Sequence, residues 1–109
     1  MKTPEGYEKD DIDKYLDSIG CWHFRTFTGG FGSSGKPDIV TCMPTIISPE
    51  WVGRRMGLFA GIEVKREGKV PTVLQERRLR EILQAGGLGF WGTADKVISD
   101  ITRWHKAKT

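Results

Sequence analysis

Between residues 8 and 19 the apolar side chains Ile12, Tyr15, Leu16 and Ile19 recur at i, i+3, i+4 and i+7, with Asp and Lys in the intervals. That spacing predicts an amphipathic first helix with this stripe turned inward and Gly20 as its stop. The period then changes. Over 21–27, Trp22, Phe24 and Thr26 alternate against His23, Arg25 and Phe27, which predicts a strand leading into a glycine-rich loop over 29–35. Two short apolar runs, 39–43 and 58–64, predict central strands. The segment 44–57 between them, broken by Pro44, Pro49 and Gly53, predicts a long loop or a short helix. After a turn over 66–71, Thr72 and Gln75 fit the S/T-x-x-E/Q capping pattern of a helix running to Ala85. Leu79, Ile82 and Leu83 mark its inward stripe, and Gly86 and Gly87 end it. A short strand over 88–91 follows, and Val97, Ile98, Ile101 and Trp104 restore helical spacing over 94–104. The order α-β-β-β-α-β-α predicts an α/β fold: a mixed central sheet with helices on both faces.

The chain of 109 residues has room for one domain, 1–109, with a single core. No apolar run approaches the ~20 residues that span a bilayer, and the polar, acidic start has no secretory pattern, so an intracellular protein without membrane partners is expected. Seventeen Lys and Arg against fourteen Asp and Glu leave a net charge of +3, which permits a polyanionic partner. Cys21 and Cys42 have neither the spacing nor the companions of a zinc site, and read as small buried hydrophobes. His23 and His105 read as surface residues with no metal role, and Trp22, Trp91 and Trp104 as core. The glycine-rich loop and Lys36 lack the G-K-[ST] ending of a phosphate-binding loop, so no nucleotide cofactor is expected.

Charges at the ends of apolar strands need a reason. Asp38 stands in GKPDIV, and Glu63 and Lys65 in GIEVK. Alternation along a strand puts Glu63 and Lys65 on one face and Val64 in the opposite layer. With Asp38 on an adjacent strand, two carboxylates and a Lys converge, and the Val64 carbonyl adds an oxygen. Such a donor set suits Mg2+, and such a site can cut a phosphodiester. Glu67 and Lys69 repeat the E-x-K spacing in a polar turn with no strand to hold them. Gln75 precedes Leu79 and Ile82 by four and seven positions, so it falls on the inward stripe, although the capping box competes for its side chain.

The combination of GxPD, a strand ending in E-V-K, a glycine-containing turn and a helix opening P-T-x-x-Q resembles the VRR-NUC family, virus-type replication-repair nucleases of the PD-(D/E)XK superfamily. The resemblance covers about residues 7–101. It implies a restriction-endonuclease-like αβββαβ core plus a C-terminal helix, and Mg2+ or Mn2+ as cofactor. By resemblance Asp38, Glu63 and the Val64 carbonyl bind the metal, Lys65 stands near the attacking water, and Gln75 is the motif glutamine. Glu8 is the candidate for the family's first-helix acid, with Asp11 as its alternative. The 44–57 segment departs from the family's compact hairpin. There, Trp51 with Arg54 and Arg55 serves nucleic-acid contact, a dimer surface or simple solvation. Lys36, Arg54, Arg55 and Lys69 are the candidate DNA contacts. The expected function is a metal-dependent, structure-selective DNA endonuclease, a homodimer acting on four-way junctions in the host cytoplasm if viral. Its rivals are a flap, nicking or single-strand nuclease with the same site, and a DNA-binding module without catalysis.

Overall fold

The computed structural model describes residues 2–26, 35 and 37–107. The chain is mixed α/β, with three helices and two small sheets, and divides into two compact units, Met1–Val52 and Gly53–Thr109.

In the first unit, α1 (Pro4–Ser18) starts earlier than its apolar spacing suggests, because Thr3 caps it. The Thr3 hydroxyl accepts from Gly6 N at 3.0 Å, and Pro4 opens the helix where its missing N–H is no loss. Gly20, at φ +73°, ends it as expected: Gly20 N donates to Asp17 O and Cys21 N to Leu16 O, a Schellman closure. β1 (Trp22–Arg25) pairs antiparallel with β2 (Ile39–Cys42), Trp22 opposite Cys42 and Arg25 opposite Ile39. Thr26 N donates to Asp38 O beyond the ladder. The expected glycine-rich loop, apart from Gly35, lies outside the described residues, as do Phe27 and Lys36.

The inward stripe expected of α1 does not form. Only Leu16 of the four is buried; Ile12 and Tyr15 are about half exposed or more. The helix instead presents Asp10, Asp13 and Asp17 to the alternate β1 residues His23 and Arg25. Arg25 reaches Asp10 at 2.8 Å and Asp13 at 2.7 Å, while Asp10 also pairs with Lys2. His23 Nε2 lies 2.7 Å from Asp17 and its Nδ1 3.4 Å from Asp13, so His23 is not the surface residue expected. A short two-stranded sheet offers little apolar surface, and five charged or titratable groups can satisfy one another across it. Cys21 and Cys42 are buried, as their spacing implies, and burial pushes the Cys21 thiol up from its usual pKa.

The second unit is a βαβ arrangement. β3 (Ala60–Val64) runs parallel to β4 (Leu88–Gly92), and α2 (Val73–Gln84) connects and covers them. Gly61 and Gly89 stand opposite each other in the ladder. A Cβ on Gly61 would lie 2.7 Å from Ile82 Cδ1, and one on Gly89 3.3 Å from Leu79 Cβ, so the helix rests almost on bare backbone. Ile82 is buried there, but Leu83, expected on the stripe, is 52% exposed because its position turns past the sheet. Gly86 at φ +96° and Gly87 close the helix as Gly20 and Cys21 close α1. α3 (Ala94–Lys106), capped by Thr93, packs on β4 through Val97.

In place of the one mixed sheet expected, the ladders form two separate sheets, β1–β2 antiparallel and β3–β4 parallel. The prolines and the 3-10 turn Pro49–Trp51 interrupt the chain between β2 and β3. Val64, expected in a covered layer, is 74% exposed. No helix among the described residues is long and apolar enough to cross a membrane.

This packing sets two expectations for stability. Gly61→Val is expected to cost about 1–3 kcal/mol by overpacking against Ile82, whereas Gly57→Ala, where an added methyl meets nothing within 4 Å, is expected to be near neutral; denaturant unfolding checks both. Hydrogen bonds from Lys2 and then Arg25 hold the Asp10 carboxyl below its ordinary 3.8. The stability from this depressed pKa is complete above about pH 4 and is lost as pH falls through the lower folded-state value. Melting temperatures between pH 5 and 2 should therefore fall less steeply in Asp10→Asn than in the parent.

Candidate functional site

Glu63 and Lys65 occupy the carboxyl end of β3 and its first residue beyond. They share the face of Gly61, which α2 covers further back along the strand. Their side chains meet, Lys65 Nζ lying 3.7 Å from Glu63 Oε1, and they keep only 19% and 33% of their exposure respectively. The Lys65 backbone N–H donates to Gly92 O at 2.8 Å, so the ladder fixes the residue although the strand proper stops at Val64. That is a rigid mount for a carboxylate and an ammonium. At 3.7 Å the pair makes no hydrogen bond and adds little to stability, and its separation leaves the carboxylate free to accept from other groups.

The chain then turns through Arg66–Lys69, closed by Lys69 N donating to Arg66 O at 3.1 Å with Gly68 at φ +82°. Thr72 and Gln75 form the capping box that the sequence predicts. Gln75 N donates to Thr72 Oγ1 at 3.2 Å, and Gln75 Oε1 accepts from Thr72 N at 2.9 Å. The amide oxygen of Gln75 is thus engaged in capping the start of the helix, the competing use of this side chain.

The remaining candidates lie in the first unit or at the start of the second. Asp38 is exposed just before β2, and Glu8 and Asp11 are exposed on α1. Trp51, 43% exposed, closes the 3-10 turn, and Arg54 and Arg55 follow it exposed. In the second unit, Glu63 and the Val64 carbonyl supply at most two of the six oxygens that Mg2+ takes, so a metal there needs water, phosphate and a second carboxylate. Among the described residues no group of three or more His, Cys, Asp or Glu is placed to hold a metal ion.

Sequence reasoning misses three residues around the ends of β3 and β4. Trp91 stands opposite Glu63 in the ladder. Lys96 places its ammonium 4.0 Å from the Trp91 ring centroid and donates to Trp91 O at 2.8 Å and Asp100 Oδ2 at 3.1 Å. With Arg66 they line a cavity of about 310 Å3 beyond the ends of β3 and β4. The available signal is topological: the carboxyl ends of parallel strands are where open α/β sheets leave a crevice.

Thr72→Ala is expected to cost about 1 kcal/mol, and Gln75→Ala to lower the melting temperature in the same direction. If Gln75 acts only as a cap, Gln75→Glu, which can still accept from Thr72 N, restores stability and every other property together. No family model matches the chain, and no curated protein or solved structure matches it.

Proposed function

We propose that the protein is a divalent-metal-dependent DNA endonuclease that hydrolyses phosphodiester bonds, with branched DNA, foremost the four-way junction, as substrate and a homodimer as the working form. The observation that carries the reading is the Glu63–Lys65 pair, 3.7 Å apart on one strand face at the end of β3. The sequence around it, GKPD upstream and E-V-K on the strand, supports the same chemistry by its resemblance to the VRR-NUC nucleases. Glu63 and the Val64 carbonyl would hold Mg2+ or Mn2+, and Asp38 is the candidate for the further carboxylate that the donor count requires. Bound there, the metal supplies Lewis acidity toward the scissile phosphate and lowers the pKa of water.

The chain's own groups do the rest. Lys65, fixed through its backbone to Gly92, orients the attacking water or offsets the charge that builds on phosphorus. Its ammonium neighbours the carboxylate without a close hydrogen bond to it, so reorienting it toward a substrate breaks little. A dimer presents two such sites to two strands, as cutting a four-way junction requires.

Labelled four-way junction, flap, duplex and single-stranded DNA incubated in Mg2+, Mn2+ and EDTA test the proposal. The junction should be cut in metal and intact in EDTA. Glu63→Gln, Lys65→Ala and Asp38→Asn should each lower the rate by about 100-fold or more, the scale of losing one charge-stabilising group, while unfolding as the parent does. Cutting of flaps or single strands alone keeps the site and changes the substrate. Binding without cutting in either metal rejects the nuclease in favour of a binding module.

A further inference from the structure

The cavity beyond β3 and β4 lies wholly within the second unit and is lined by Arg66, Lys69, Trp91, Gly92, Thr93 and Lys96. We propose that it seats one phosphodiester group of a nucleic-acid backbone, a subsite beside the Glu63–Lys65 pair rather than part of it. The phosphate chemistry stands on the cavity; that the phosphate belongs to a nucleic acid rests on the function proposed above.

Arg66 and Lys69 form no ion pair among the described residues; Lys14, Arg54, Arg55, Arg77 and Arg80 form none either, but Arg66 and Lys69 line one common space. Two unpaired cations at the ends of one glycine-closed turn face the same space. Lys96, itself paired with Asp100, adds a third cation, and its position is built. Its ammonium is held by the Trp91 ring and carbonyl and by Asp100, which uses two of its three N–H donors. Glu67, on the same turn, is the one carboxylate in the lining, so cations outnumber it.

Gly92 sits at φ +134°, and a Cβ there would lie 2.7 Å from Lys96 Cδ and 3.1 Å from its Cβ. A side chain at this position would displace the lysine from the cavity wall, so a glycine keeps Lys96 over the strand end. About 310 Å3 is room for a phosphate group and its water but too small for a folded partner's side of an interface.

Geometry joins the cavity to the catalytic candidates. Gly92 O accepts from Lys65 N at 2.8 Å, so one backbone bond connects the cavity floor to the residue carrying the ammonium. A strand gripped here by one phosphate is positioned for another to reach Glu63 and Lys65. Phosphate binding of this kind sets register without reading sequence, which suits a nuclease selecting DNA by shape.

The test is binding in EDTA, where no cutting occurs. A thymidine tetranucleotide and, separately, inorganic phosphate are titrated into the labelled protein while the amide resonances of Gly68 and Gly92 are followed. The tetranucleotide should shift both. Arg66→Ala with Lys69→Ala should weaken its binding by about tenfold or more, as expected when charge-assisted hydrogen bonds to phosphate are removed. The slope of log affinity against log salt should become shallower by about 0.7 for each phosphate that is no longer neutralised. Arg77→Ala, which removes the same charge from the exposed side of α2, should change affinity less than twofold. Unshifted Gly68 and Gly92, or a double variant that binds as the parent does, overturns the subsite. Inorganic phosphate binding as tightly as the tetranucleotide overturns the backbone assignment in favour of a free-anion site. Binding that passes these tests beside a protein that cuts nothing in metal removes the nuclease alone. Cleavage with the binding prediction failed removes the subsite alone.

Discussion

The close approach of α2 to the β3–β4 ladder is the constraint on which the second unit depends. Gly61 and Gly89, opposite each other, let Ile82 and Leu79 come down onto backbone where any side chain would hold the helix away. Everything at the carboxyl end inherits that spacing. Glu63 and Trp91 project from the same face two residues further along, just past the helix's footprint. Because α2 begins only after the turn and the capping box, the strand ends stay open, and the space left there is the cavity. A helix set higher by a methyl or two would leave the same residues on the same strands around a different volume.

Local chemistry is legible in the sequence, and its cooperative outcomes are not. Thr72, Gln75, Gly20 and Gly86 announce helix ends correctly because capping is decided by neighbours in sequence. The same is true of Glu63 and Lys65, whose common face follows from strand alternation alone. The failures each need a partner distant in sequence. Apolar spacing predicts an inward stripe on α1, yet Arg25 and His23 give the helix's aspartates a stronger claim to β1. Leu83 fits the helical period but lies past the edge of a sheet only two strands wide. The single mixed sheet fails for the same reason, since strand partners are chosen by register and connection rather than by composition. Gln75 has two competing uses in the sequence, and the structure engages its amide oxygen in the cap.

The two units handle charge in opposite ways. In the first, three aspartates pair with a histidine and an arginine between α1 and β1, and Asp13 Oδ1 is buried there without a hydrogen bond. In the second, Arg66 and Lys69, on a tight turn that also carries Glu67, form no ion pair among the described residues. Self-satisfied charge binds an element to its neighbour; uncompensated charge on a rigid mount is available to something else. The net charge of +3 understates the asymmetry, because Met1–Val52 holds five Lys and Arg against eight Asp and Glu, and Gly53–Thr109 twelve against six.

The parallel ladder also governs how the second unit assembles. β3 ends at Val64 and β4 begins at Leu88, so no ladder bond forms until the whole intervening chain is closed, and that entropy is spent before any contact repays it. α2 fills half of the gap and is the part that can form locally. Its twelve residues, when helical, span only about 18 Å. A capped helix shortens the search by replacing free chain with a rigid spacer whose apolar side already matches Gly61 and Gly89. The hydrogen bonds at Thr72 and at the Gly86 closure thus act on the speed of assembly as well as on the finished structure, since they set how often the unfolded chain holds that spacer ready.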